Sequence, residues 1–421
     1  MQHSLSHLLL FFLLFFGQAL MVFIHECLNQ ASQFTGNKQN TGRQLPAVQT
    51  GKSYWINPIL SQLELTSRRR FLMTDIYLAI PGDINSLTGG YAYDRRLLAE
   101  LHSLGHKLIH LPLSSQFPQP DSQTLANTAQ QFAQLPHGAM VIADGLAFGV
   151  LENIAEHERE RLKIVALCHH PLMLEAGLSG EQAQQLFISE QRALNAAQAV
   201  IVTSATTGKI LTEQFAIPAD KITIAEPGTD QQEFALCNGN PPVLLTLATL
   251  TRRKAHDLLI DALAELQHLP WTARFVGGLH FDSQWVAHLQ HKVAAAGLQE
   301  RIAFVGNVAD TRSEYATANI FVLPSLFEGY GMAFAEALSF GLPIVAARAG
   351  AVPDVVPDTA GILVQPDNSA ALADALQNLL TTPNLRKQLQ TGAQSAAQTL
   401  PSWTTTASKV AALINTINTK R

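Results

Sequence analysis

Short apolar runs alternate with helical patterns along the chain from Met73 onward. In the first repeat, residues 75–81 (DIYLAIP) predict a buried strand, a glycine-containing turn (SLTGGY) follows, and an amphipathic helix over 93–104 ends at Gly105. Strands that alternate with helices pair in parallel, so this pattern predicts a parallel sheet with helices on both faces.

The same pattern recurs in both halves of the chain. In the first half it predicts strands at 106–111, 139–143, 163–167, 199–203 and 221–225, with a helix at 180–197. In the second half it predicts strands at 243–248, 272–277, 302–306, 320–324, 343–347 and 361–364, with helices at 370–381 and 403–419. Between the halves lies an Asn-Gly-Asn-Pro-Pro cluster at 238–242, which is typical of a linker. Two doubly wound α/β domains therefore face each other across a cleft, where ligands bind at the carboxyl ends of the strands.

These patterns divide the chain into four predicted segments. Residues 1–72 are expected to form a hydrophobic and polar, poorly ordered extension, 73–238 an N-terminal Rossmann-like domain, 239–400 a C-terminal Rossmann-like domain, and 401–421 a closing helix.

The extension contains one continuous apolar run, residues 8–24, which is close to the minimum for crossing a bilayer as a helix. Three interpretations stay open: a dispensable upstream extension, a membrane anchor, and a cleaved or targeting segment. The basic residues follow the run, so an anchor would leave the bulk of the protein on the cytoplasmic side.

The amino-acid composition excludes several classes of protein. Hydrophobic residues make up 47% of the 421 and charged residues 14%, which excludes a disordered chain, and a net charge of −5 argues against a general nucleic-acid binder. Three widely spaced cysteines indicate neither a disulfide framework nor a structural zinc site. The sequence thus predicts a folded, core-rich chain in a reducing compartment.

The most informative segment is 321–356 (FVLPSLFEGYGMAFAEALSFGLPIVAARAGAVPDVV). Gly329 and Gly331 precede a predicted helix of about ten residues, whose N-terminus favours an anion such as a diphosphate. Glu328 and Glu336 would lie about 12 Å apart if the intervening segment were helical. That separation suits two carboxylates at opposite ends of an extended ligand better than an acid/base pair on one bond.

This segment resembles the E-x7-E motif of the retaining GT-B glycosyltransferases of family 4 (glycosyl transferases group 1). The VLPS, G-x-P-x-VA and G-x-V-P-D elements and the VGNVAD sequence at 305–310 are similar too, and the resemblance extends from Met73 to the C-terminus. It implies the α/β GT-B architecture, in which 73–238 is the acceptor domain, 239–400 is the nucleotide-sugar donor domain, and the C-terminal helix crosses back onto the N-terminal domain.

The resemblance also implies roles for particular residues. In LATLTRRKAHD, Lys254 matches a diphosphate-binding lysine, and Arg253 is expected to assist it because Thr249 stands where many members carry arginine. Glu328 is expected to hold the donor sugar and Glu336 the ribose.

Further contacts are implied around these groups. The donor loop is expected to comprise Gly329, Tyr330, Gly331 and Met332, and Gly90 is expected to approach the phosphate. His169 or His170 is expected to contact the sugar. Asp144 and Asp354 are weaker candidates. Which of the two histidines acts stays open.

The implied function is transfer of a sugar, with retention, from a nucleotide-diphosphate sugar to an acceptor hydroxyl on a glycan, lipid or small molecule. No metal or other cofactor is expected, because Arg253, Lys254 and a helix N-terminus supply positive charge. The expected location is cytoplasmic, with attachment to the inner membrane as an alternative through residues 8–24. The competing interpretations are a sugar-nucleotide epimerase, a glycan phosphorylase, and a nucleotide-sugar-binding protein without turnover.

Overall fold

Two parallel sheets of six strands each organise the computed structural model, which describes residues 75–419. The first sheet contains β1 (Ile76–Pro81), β2 (Leu108–Leu113), β3 (Met140–Asp144), β4 (Lys163–Cys168), β5 (Ala199–Val202) and β6 (Ile222–Ile224). The second contains β7 (Val243–Leu247), β8 (Thr272–Val276), β9 (Ile302–Gly306), β10 (Ile320–Leu323), β11 (Ile344–Ala347) and β12 (Gly361–Val364). The predicted apolar run at 8–24 and the predicted extension 1–72 lie outside the described residues.

Helices connect these strands in the predicted alternation. Those of the first half are α1 (Gly89–Ser103), α2 (Ser122–Ala133), α3 (Gly145–Phe148), α4 (Glu152–Glu158), α5 (Gly180–Ala196) and α6 (Ala205–Glu213). Those of the second half are α7 (His256–Glu265), α8 (Ser283–Ala295), α9 (Arg312–Thr317), α10 (Met332–Ser339), α11 (Val352–Val355), α12 (Ser369–Thr381), α13 (Pro383–Ala397) and α14 (Trp403–Thr419). Among these helices, none combines the length and the apolar character needed to cross a bilayer.

Strand order places the ligand-binding edge of each sheet. The first sheet runs β2-β1-β3-β4-β5-β6 and the second β12-β11-β10-β7-β8-β9, with every pairing parallel. The chain winds in opposite directions from β1/β3 and from β7/β10, so the connections leave a crevice at the carboxyl ends of these strands. The predicted fold class, two doubly wound α/β domains, is confirmed.

Two elements differ from the sequence prediction by more than one residue at an end. The second strand spans Leu108–Leu113 rather than 106–111, because β2 is an edge strand whose register is set by β1 alone. Helix α1 begins at Gly89 rather than at Tyr93, so Gly89 and Gly90 form the first helical turn instead of a preceding loop.

The closing helix α14 packs on the first domain, as predicted. Its apolar face buries Trp403, Ala407, Val410 and Ile414 in the cluster that contains Tyr93, Leu97 and Leu101 of α1. The rings of Trp403 and Tyr93 meet edge to face with centroids 5.7 Å apart. The core of the first domain is therefore completed by the last residues of the chain.

We expect Trp403→Ala to lower the free energy of unfolding by about 3–5 kcal/mol, because it leaves a large cavity beside Tyr93. Ser408→Ala, on the exposed face of the same helix, is the control and should change it by less than about 0.5 kcal/mol. Chemical denaturation measures both values. Equal effects of the two substitutions would show that α14 does not contribute to this core.

Candidate active site

A cleft of about 600 Å³ lies between the two domains, where the carboxyl ends of their strands meet. All of the predicted site residues line it: Gly90, His169, His170, Arg253, Lys254, Glu328, Gly329, Tyr330, Gly331, Met332 and Glu336. Asp144 lines it too, whereas Asp354 instead accepts a hydrogen bond from the Thr206 amide at 3.1 Å. The second domain thus contributes the cations and both glutamates, and the first domain contributes the histidines.

Lys254 and Glu328 form the central ion pair of the cleft. Lys254 Nζ lies 2.6 Å from Glu328 Oε1, and the Ser325 hydroxyl donates to the same oxygen at 2.6 Å. Glu328 is buried, which alone would raise its pKa, but Lys254 and Arg253 outweigh burial and lower the pKa to about 2. Glu328 is therefore ionised across the physiological pH range.

Arg253 connects this pair to the first domain. Its Nη1 donates to the Phe327 carbonyl at 2.8 Å and lies 3.4 Å from Glu328 Oε2, while its Nε lies 3.1 Å from Glu175 Oε1. Glu175 also contacts His170 Nε2 at 3.2 Å. Arg253 is thus held between a carboxylate of each domain.

Sequence reasoning missed Glu175, which lies in the loop between β4 and α5, where no sequence pattern marks it. Burial alone would raise its pKa, but His170 and Arg253 lower it to about 2. Burial lowers the pKa of His170, so this histidine is predominantly neutral at neutral pH. The ion pair between Glu175 and Arg253 therefore connects the two walls of the cleft.

The glycine loop after Glu328 is shaped by close backbone packing. A Cβ on Gly329 would lie 1.9 Å from the His169 carbonyl oxygen, so only glycine permits this approach between the domains. Gly331 immediately precedes α10 and has a positive φ of 95°, a conformation that glycine adopts without strain. Because α10 starts only at Met332, residues 328–331 are not helical, and the helical spacing assumed for Glu328 and Glu336 is wrong.

Glu336 lies on α10 at the opposite end of the motif. Its Oε2 accepts a hydrogen bond from the Tyr315 hydroxyl at 2.8 Å, and burial raises its pKa. Tyr315 is fully buried and stacks on Phe340, which fixes the position of the hydroxyl. The Tyr315 hydroxyl therefore fixes the Glu336 carboxylate as a hydrogen-bond acceptor beside the sheet of the second domain.

His169 lies between two carboxylates of the first domain. Its Nε2 is 3.1 Å from Asp144 Oδ2 and 3.4 Å from Asp94 Oδ1. Burial alone would lower the pKa of His169, but the two acids raise it to about 10. Asp94 was missed in the sequence, although an acid on the buried face of α1, beside Tyr93, Leu97 and Leu101, is the signal that marks it.

Gly89 and Gly90 bring the first turn of α1 close to this histidine. A Cβ on Gly90 would lie 3.6 Å from His169 Cδ2, and one on Gly89 would lie 3.9 Å from Met332 Sδ. The free amides of a first helical turn favour an anion. The glycine pair therefore opens a helix N-terminus toward the cleft.

Comparison with known proteins finds similarity to glycosyltransferases. Residues 229–396 match the family model described as "Glycosyl transferases group 1". The D-inositol 3-phosphate glycosyltransferase of Xylanimonas cellulosilytica is 28% identical over 239 residues, covering 52% of this chain and 57% of that protein. The match supports the group 1 family for the second domain, and the chain spans about half the length of the curated relatives that it matches.

Solved structures show the same architecture. Sucrose-phosphate synthase from Thermosynechococcus elongatus superposes with a TM-score of 0.70 at 21% identity, covering 82% of this chain and 99% of that one. Anabaena HepE in complex with UDP-glucose superposes with a TM-score of 0.66 at 20% identity, covering 82% of this chain and all of that one (100%). At these identities the likeness concerns the fold, which is GT-B.

Proposed function

We propose that this protein is a retaining glycosyltransferase that moves a sugar from a nucleotide-diphosphate sugar to an acceptor hydroxyl. The observation that supports it best is the buried Lys254–Glu328 pair, with Arg253 beside it, in the cleft between two doubly wound domains. The group 1 match over residues 229–396 and the HepE complex with UDP-glucose point to the same class of donor.

The two cations are suited to a diphosphate. Negative charge grows on the β-phosphate as the bond to the sugar breaks, so Lys254 and Arg253 would stabilise the transition state more than the ground state. The backbone amides at the start of α10 add further positive potential on the same wall. In this proposal no metal is needed to neutralise the leaving group.

Glu328 would exchange partners when the donor binds. Its carboxylate is ionised and now accepts from Lys254 and Ser325. Once phosphate oxygens bind Lys254, the freed carboxylate can accept hydrogen bonds from sugar hydroxyls. Glu336 would similarly hold the ribose, and His169 the sugar or acceptor.

Transfer proceeds by cleavage of the bond between the anomeric carbon and the phosphate oxygen and by attack of the acceptor oxygen on the same face. The proton of the acceptor hydroxyl passes to the departing phosphate oxygen. No protein nucleophile is required, and Glu328, held by two cations, is poorly suited to act as one. Closure of the domains would exclude water and limit donor hydrolysis.

We expect one class among UDP-, GDP- and ADP-sugars to raise the melting temperature of the full chain, and Lys254→Ala to abolish this shift. Arg252→Ala is the matched control, because Arg252 carries the same charge two positions away but pairs with Asp282 and stacks on Trp285. Differential scanning fluorimetry measures all three proteins. No shift with any donor in a folded wild type would contradict the proposal.

A binding protein without turnover would pass that test, so transfer must be measured too. With the donor that binds, Glu328→Gln should abolish sugar transfer or donor hydrolysis while retaining the nucleotide-dependent shift. Conversion of the donor to an epimeric nucleotide sugar would instead identify an epimerase.

A further inference from the structure

We propose that Asp94 and Asp144 act together as positioning residues that keep His169 doubly protonated, so that its second ring nitrogen is a hydrogen-bond donor in the cleft. This inference rests on the proposed function for its role in transfer. The clamp itself, defined as Asp94, Asp144 and His169, rests on geometry alone.

Three separate elements of the first domain build the clamp. Asp94 lies on α1, Asp144 ends β3, and His169 follows β4, so strand order places all three at the same edge of the sheet. One carboxylate oxygen of each aspartate and one ring nitrogen of His169 lie within 4.8 Å of one another. The clamp is therefore fixed by the fold rather than by a flexible loop.

The two carboxylates are deeply buried and short of partners. Asp94 is 0% exposed, and neither of its oxygens accepts a well-directed hydrogen bond from residues 75–419. Asp144 is 4% exposed and uses Oδ1 to cap α3 through the Leu146 amide at 2.8 Å. Burial and the neighbouring Asp144 raise the pKa of Asp94 to about 6, so Asp94 is still mostly ionised at neutral pH and a nearby positive charge stabilises it.

Other groups facing His169 do not supply that charge. Tyr93 on α1 meets the imidazole edge to face with centroids 5.3 Å apart, and the neighbouring His170 is turned toward Glu175. Arg95, next to Asp94, donates to the carbonyls of Ile84 and Ser86, and its charge lowers the pKa of Asp94 less than His169 does. Burial and the two acids also raise the pKa of Tyr91 to about 12, so its hydroxyl stays neutral.

The imidazolium proton is the counter-charge that the geometry provides. Nε2 faces both acids, 3.1 Å from Asp144 Oδ2 and 3.4 Å from Asp94 Oδ1, as an ion-pair contact without the angle of a directed hydrogen bond. A hard divalent cation such as Mg²⁺ normally keeps several waters, and the burial of Asp94 and Asp144 leaves little room for them.

The clamp determines what His169 can offer a substrate. Because Nε2 faces the two carboxylates, Nδ1 is the ring nitrogen that remains for a ligand. In the imidazolium Nδ1 carries a proton and donates, whereas in neutral imidazole protonated at Nε2 it only accepts. Keeping the imidazolium at neutral pH therefore makes His169 a donor to a sugar or phosphate oxygen.

The direct test is an NMR pH titration of the histidine ring nitrogens in the full chain, with the His169 signal assigned by its absence in His169→Gln. We expect His169 to remain charged past pH 9. Titration between pH 6 and 7, the ordinary range of histidine, would overturn the clamp. This measurement needs no transfer activity, so it stands even if the proposed function fails.

The kinetic test compares pH profiles of transfer for the wild type, Asp144→Asn and Asp94→Asn. Each variant should lose rate about tenfold per pH unit above the lowered pKa of His169 and recover at low pH, whereas His169→Gln should be impaired at every pH. Asp121→Asn, which also changes a helix-capping aspartate but outside the cleft, is the control. A wild-type pH profile in both Asp144→Asn and Asp94→Asn would contradict the proposal. Loss of wild-type activity on adding EDTA would contradict it too.

Discussion

Replacing Lys254 by methionine should lower kcat for sugar transfer by about 10²–10³, because one of two cations that stabilise the departing diphosphate is lost. Methionine keeps much of the length and volume of the side chain, so the change mainly removes charge. Steady-state kinetics with the donor identified by thermal shift would measure the effect.

The same substitution leaves Glu328 buried without its closest partner. We expect the free energy of unfolding to fall by about 3–5 kcal/mol at pH 7, the usual cost of breaking a buried ion pair from one side. In the wild type, the lowered pKa of Glu328 stabilises the fold above pH 4.5, and this contribution is lost as the pH falls toward 2.

Adding Glu328→Gln to Lys254→Met separates the two effects. The double variant should regain much of the stability, because no uncompensated charge remains buried, but it should not regain transfer. Recovery of both would show that Lys254 acts only through the fold. Retention of full activity by Lys254→Met alone would contradict a role in stabilising the diphosphate.

Gly350→Ala is the second substitution with a large expected effect. A Cβ at this position would lie 2.2 Å from the Glu328 carbonyl oxygen and 2.8 Å from its amide nitrogen. The backbone of Glu328 must therefore move, and a displacement of about 1 Å at a reacting centre typically costs about 10²-fold in rate. We expect transfer to fall by at least that factor in an enzyme that still folds.

Gly138→Ala is a closely matched control. Gly138 also has a positive φ, 77°, but a Cβ there would meet nothing within 4 Å. It should cost about 1–3 kcal/mol of stability from backbone strain and leave kcat unchanged. Equal kinetic effects at the two glycines would show that strain, rather than the position of Glu328, limits the rate.

Much of the fold could be predicted because buried parallel strands are continuous apolar runs. Residues 302–306 and 361–364 were predicted without error, since turns bound both runs closely. The start of α1 was misjudged because glycine usually signals a turn, and only its position beside His169 shows why two glycines begin a helix.

The candidate site was predictable where one sequence segment carries it. Glu328, Glu336 and the glycines between them are neighbours in the chain, and Lys254 lies in the connection between β7, which ends at Leu247, and α7. Glu175 and Asp94 were not found, because their partners lie 78 and 75 residues away and no local pattern records such pairings. These contacts depend on the packing of the domains and on the order of strands in the first sheet.

The position of α14 has a consequence for how the protein is made. During synthesis the first domain emerges well before α14, yet the cluster around Tyr93 and Leu97 also requires Trp403 and Ile414. The nascent first domain therefore leaves the ribosome with an uncovered apolar surface on α1. This surface stays exposed until α14 has been synthesised and packs on it.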